Sequence, residues 1–218
     1  MIMRVLFLAG MLVVLLQPFV KAQNDPRAEK LLKEMERKLE SYDLFKAEFV
    51  YELENPSAGI EESQPGVIIV DRKGRFKLML DQQTIYCDLD KLVVYMPELD
   101  EIQISDYRED DFEFSPSEMF KLYEKGFLYA LGGTPTIDGK TFQEVQLTPT
   151  DKDKPYFKIK LLIDEKEMEP YQTELRYKNG NVYTYTIDAF YPNPPRVSDR
   201  FFEFDASQYP NATVVDLR

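Results

Sequence analysis

The chain has 218 residues, 39 of them acidic against 27 basic, for a net charge of −12. Phosphate recognition needs clustered Lys and Arg, so this balance speaks against nucleic acid as a partner. The absence of histidine excludes Ser-His-Asp and Cys-His catalysis and most zinc chemistry.

Residues 1–22 read as a signal peptide. Arg4 supplies a short basic start, and the apolar run Val5–Leu16 is too short for a membrane span. Val20-Lys21-Ala22 provides the small-residue cleavage site, and no cysteine follows it to accept a lipid. The expected product is an exported, untethered chain of residues 23–218, forming one domain in the periplasm. Cys87 is the single cysteine, so no internal disulfide is expected. Its place inside a strand pattern suits a small buried hydrophobe better than a reactive thiol.

Asn24-Asp25-Pro26 signals a helix start. Ala28, Leu31, Leu32, Met35, Leu39 and Tyr42 then recur at helical spacing. The period switches at Phe45, Ala47, Phe49, Tyr51 and Leu53, which alternate as one face of a strand. Glu61–Pro65 reads as a polar loop. Gly66–Leu80 reads as two strands around a basic turn, with Phe76, Leu78 and Leu80 on one face. Short strands follow at Thr84–Asp88, Leu92–Met96 and Glu101–Ile104.

Ser115-Pro116-Ser117-Glu118 opens a predicted helix carrying Met119, Phe120, Leu122 and Tyr123, and Phe127–Leu131 suggests a second short one. Alternation resumes in Phe142–Thr148, Tyr156–Asp164, Tyr171–Tyr177, Val182–Ala189, Phe201–Phe204 and Val214–Leu217, with a hairpin turn at Asn179-Gly180. Ten or eleven short antiparallel strands should curl strongly. The predicted fold is mainly β: a curved antiparallel sheet forming an unclosed half-barrel, with the N-terminal and mid-chain helices across its concave side.

Acid pairs at Glu61-Glu62, Asp110-Asp111 and Asp151/Asp153 stand in loops, where solvated charge is the ordinary role. A glycosidase needs two carboxylates held across a sugar. No enzyme activity, cofactor or metal is expected.

The ordered set of elements resembles the LolA family of periplasmic outer-membrane lipoprotein carriers. The resemblance rests on the first helix, on Phe45-Lys46-Ala47-Glu48-Phe49, and on the glycine-led strand running into Arg72 and Phe76. It continues through Ile85-Tyr86-Cys87-Asp88, Leu92–Met96, Ser115–Phe120 and Leu147-Thr148-Pro149 to Phe202-Glu203-Phe204 and Val214-Val215-Asp216. Lys73 and Asp88-Leu89-Asp90 depart from it, where the family commonly has a proline and an Asp-Gly turn.

The resemblance implies an apolar cavity closed by a helical lid, with Arg72 latching the lid and Phe76 engaging transporter and cargo. It implies acylated lipoproteins or lipids as cargo, an inner-membrane ATP-driven lipoprotein transporter as donor and an outer-membrane receptor as acceptor, for a monomeric carrier. Phe49, Tyr51, Phe76, Leu78, Leu80, Met119 and Leu122 are the residues expected to touch acyl chains. The alternatives are a carrier of another acylated lipid or glycolipid, and a non-transport sensor or scaffold on the same half-barrel.

Overall fold

The computed structural model describes residues 24–108 and 126–218. Helix α1 (Pro26–Glu40) begins where Asp25 accepts a hydrogen bond from the Arg27 N–H at 2.9 Å, with Pro26 in the first turn. Its apolar stripe, Ala28, Leu31, Leu32, Met35 and Leu39, is buried.

The strands are β1 (Leu44–Asn55), β2 (Ile60–Asp71), β3 (Phe76–Leu80), β4 (Thr84–Cys87), β5 (Lys91–Met96), β6 (Glu101–Asp106), β7 (Phe127–Leu131), β8 (Thr136–Ile137), β9 (Lys140–Pro149), β10 (Tyr156–Asp164), β11 (Glu169–Tyr177), β12 (Val182–Pro192) and β13 (Thr213–Asp216). The sheet runs in the order β13-β6-β5-β4-β3-β2-β1-β12-β11-β10-β9-β7, with β8 paired to β9 off this path. Its two ends do not pair with each other among the described residues, so the sheet is unclosed. The chain passes from β6, near one end, to β7 at the other.

Several expectations change. The helix expected from Ser115, with Met119 and Leu122, lies outside the described residues. Phe127–Leu131 is a strand, not a helix. Phe127, Tyr129 and Leu131 alternate with Leu128 and Ala130, and β9 satisfies their backbone. Among the described residues α1 is therefore the one α-helix, and no mid-chain helix is seen.

Glu61–Pro65 is strand rather than loop, because β1 offers a partner along its whole length. β3 stops opposite Gly66, which leaves Pro65 on a free edge where a missing N–H is tolerated. Phe201–Phe204, expected as a strand, instead overlaps a short 3-10 turn at Asp199–Phe202, and Ala206–Gln208 forms a second. β13 pairs with β6 in parallel, an exception to the antiparallel expectation. Leu89 occupies the left-handed region at φ 76°, so a leucine takes the conformation that glycine adopts without strain.

Candidate functional site

Cross-strand registers sort the side chains into two faces. On the face carrying α1, Phe76 lies opposite Val70 and Cys87, Leu78 opposite Ile68 and Ile85, and Leu80 opposite Gly66. β1 continues these rows with Phe45, Ala47 and Phe49. The start of α1 is fixed to β7, since the Asp25 N–H donates to the Tyr129 carbonyl and the Tyr129 N–H to Asn24 Oδ1, both at 3.0 Å. The helix then leads through Ser41–Asp43 into β1 at the middle of the sheet, so it lies over the half built from β7 and β9–β12. The half built from β2–β6 is left beside it.

That placement explains the burial pattern. Val145, Leu147, Ile159, Ile163 and Leu175 are nearly fully buried with the α1 stripe. Leu78, Leu80, Ile85 and Leu92 share the face but stay half-buried, packed against the core along one side. They form an apolar shelf continuous with the core.

The predicted contact residues fall unequally on it. Leu78, Leu80 and Tyr51 are on the shelf, half-buried. Phe49 is 9% exposed and lies over Gly66, whose absent side chain it replaces: a Cβ there would stand 2.4 Å from Phe49 Cζ. Gly66→Ala should therefore lift the ring and cost about 1–3 kcal/mol of stability, read by chemical denaturation. Phe76 is 0% exposed and belongs to the core cluster beneath the shelf, with Cys87 beside it. Burial pushes the Cys87 thiol up to about 11, which suits an inert packed side chain.

Arg72 stands in the β2–β3 turn, 58% exposed. Its Nη2 lies 3.0 Å from Asp43 Oδ1 and donates to the Ser41 carbonyl at 3.3 Å, while its N–H donates to the Asp43 carbonyl. It thus ties the turn to the end of α1. At this exposure the ion pair adds little stability.

A row of aromatic rings was not singled out from the sequence. Tyr51 on β1 lies 5.3 Å from Tyr185 and 6.1 Å from Tyr183 on β12, between ring centres. Tyr183 meets Tyr177 on β11 at 4.8 Å, Tyr177 meets Tyr156 on β10 at 5.8 Å, and Tyr156 meets Phe127 on β7 at 6.5 Å. Burial raises the Tyr51 hydroxyl to about 12 and pushes Tyr185 up further, so both stay neutral. The alternation Tyr183-Thr184-Tyr185-Thr186-Ile187 carried the signal, because its odd positions had to share a face. Apolar shelf and tyrosine row together offer long apolar contact with neutral hydroxyls along one border.

Glu169 on this side has its pKa raised. Tyr42, just past α1, donates to Glu169 at 2.8 Å. Burial raises the Glu169 pKa above the usual 4.5, and the tyrosine bond opposes it only in part. The folded state then keeps a proton that the unfolded chain has already released, so stability falls as pH rises through the window above 4.5. Melting temperatures of wild type and Glu169→Gln should diverge in the variant's favour across that window. Parallel curves would mean that the carboxyl is solvated as in the unfolded chain.

No family model matches the sequence, nor does any curated protein. Solved structures do match. An uncharacterized conserved protein from Thermus thermophilus aligns over 87% of this chain and 99% of its own, at 10% identity and a TM-score of 0.59. LprF from Mycobacterium bovis aligns over 81% of this chain and 98% of its own, at 12% identity and a TM-score of 0.51. They show the fold. A LolA superfamily protein from Nitrosomonas europaea covers 82% of this chain and 98% of its own at 14% identity, but at a TM-score of 0.44 it carries no argument.

Proposed function

We propose that this protein is a LolA-type envelope carrier that holds the acyl chains of lipoproteins against the helix-bearing face of its sheet. The supporting observation is the shelf of Tyr51, Leu78, Leu80, Ile85 and Leu92. These side chains are continuous with the core yet only partly buried, on β1 and on the sheet half that α1 does not overlie.

Moving an acyl chain of roughly sixteen carbons through water costs on the order of 10 kcal/mol, at about 0.8 kcal/mol per CH₂. A carrier has to offset most of that and still let go. A shelf that the described residues leave only partly buried suits this better than a sealed cavity, because part of the cargo surface stays available to the next acceptor. In this reading the chain is exported, takes acylated lipoprotein from an inner-membrane ATP-driven transporter and delivers it to the outer membrane. Arg72 holds the end of α1 at the border of the shelf.

A second reading, carriage of a lipid with a hydroxylated or glycosylated headgroup, draws on the tyrosine row. Neutral phenols suit hydrogen bonding to sugar or glycerol hydroxyls. Mass spectrometry of organic extracts from protein purified out of its native envelope tests both. Co-purified acylated peptide supports lipoprotein carriage, and a glycolipid supports the second reading. Protein that carries no acylated molecule, and extracts no lipoprotein from membranes supplied with the transporter, would overturn both.

A further inference from the structure

The opposite face of the same strands carries a cavity. Residues 199–209 cross β3 and β4 there as a strap, and a space of about 570 Å³ lies between strap and sheet. This volume is within the range of small-molecule sites. Lys77 and Tyr86, cross-strand neighbours on β3 and β4, form its floor. Phe201, Phe204 and Tyr209 form its walls, with Phe204 and Tyr209 stacked 5.3 Å apart and Phe204 edge-on to Tyr86 at 5.3 Å.

Lys77 Nζ sits 4.6 Å from the Tyr86 ring centre and 5.0 Å from that of Phe201. Burial pushes its pKa down, and among the described residues Tyr209 is the group that raises it; no carboxylate does. A second cation, the solvent-exposed Arg200, lines the same cavity and shares its charge with Asp205. Of the two acids at its border, Asp205 is occupied, accepting from the Ser207 N–H and hydroxyl and from Gln208 Nε2. Glu203 is exposed to solvent. A half-buried ammonium facing aromatic rings, with no ion pair to a carboxylate among the described residues, leaves a demand for negative charge.

We propose that this cavity binds an organic anion, its carboxylate or phosphate on Lys77 and Arg200 and its flat apolar part against Tyr86, Phe201 and Tyr209. The site is independent of the acyl-chain shelf. Lys77 and Leu78 are consecutive in one strand and point to opposite faces.

Calorimetric titration of the full chain with phenyl phosphate, benzoate and inorganic phosphate tests it, alongside co-sedimentation with phosphatidylglycerol vesicles. Phenyl phosphate and benzoate should bind, with inorganic phosphate about tenfold weaker for want of ring contacts. Lys77→Gln should weaken phenyl phosphate about tenfold, Lys77→Arg should retain most of the affinity, and Lys166→Gln on the exposed β10–β11 turn should leave it unchanged. Lys77-dependent binding to vesicles would assign the anion to a lipid headgroup, and binding to the soluble probes alone would assign it to a free metabolite. Folded protein that binds none of the four probes, or whose affinity is indifferent to Lys77→Gln, would overturn the proposal.

Discussion

Leu78→Glu should abolish lipid and lipoprotein binding while leaving the sheet folded. Leu78 sits between Ile68 and Ile85 at the centre of the shelf, partly buried against the core but not sealed. In the free protein the carboxylate can turn toward water, so the stability loss should be modest. With an acyl chain laid over it the same carboxylate loses its solvent, and an isolated charge in apolar surroundings is strongly disfavoured. Cargo recovered with the purified variant should fall to background. Met79→Glu, one residue along and on the other face, should bind as wild type. Equal loss in both variants would point to unfolding and not to the shelf, which circular dichroism of each resolves.

Phe202→Ala should produce the largest change in stability. Phe202 is 1% exposed, held beneath the strap with the Arg75 guanidinium 5.0 Å from its ring centre. Arg75 is itself committed to Asp71 at 2.7 Å and to Asp199 at 3.1 Å, so ring and ion pairs brace the strap together. Truncating a buried phenylalanine costs about 3–5 kcal/mol, a large share of the 5–15 kcal/mol that holds a typical domain together. Denaturant titration should show that loss, and with it a weaker anion response at Lys77. A change below about 1 kcal/mol would mean that the strap is dispensable.

The elements that announced themselves did so through local physics. Asp25-Pro26 and the 3.6-residue stripe after them defined α1, and two-residue alternation from Phe45 to Leu53 defined β1. Long-range pairing was not visible in that way. Nothing local in Phe201–Phe204 distinguishes a strand from a strap whose phenylalanines plug into the back of β3. Nothing local in Thr213–Asp216 announces parallel pairing with β6. The five residues Phe127–Leu131 contain hardly more than one helical turn, too few to separate periods of 2 and 3.6. Of the site, Leu78, Leu80 and Tyr51 were legible as one strand face each. The tyrosine row was not, because it is assembled from β1, β10, β11 and β12 by register alone.

The order of strands also governs how the molecule can form. β1 pairs with β2 by a simple hairpin, but on its other side it pairs with β12, Ala47 opposite Phe190. The meander β2–β6 and the hairpins β9–β11 can each assemble from neighbours in sequence, whereas this central seam waits until nearly the whole chain is present. Closing so long a loop slows the reaction more than it weakens the product. Until it closes, two long strand edges lie open at the middle of the molecule, each complementary to the other edge in a second copy. Crowded refolding should therefore give dimers that exchange halves at the β1–β12 seam, and dilution should favour the monomer.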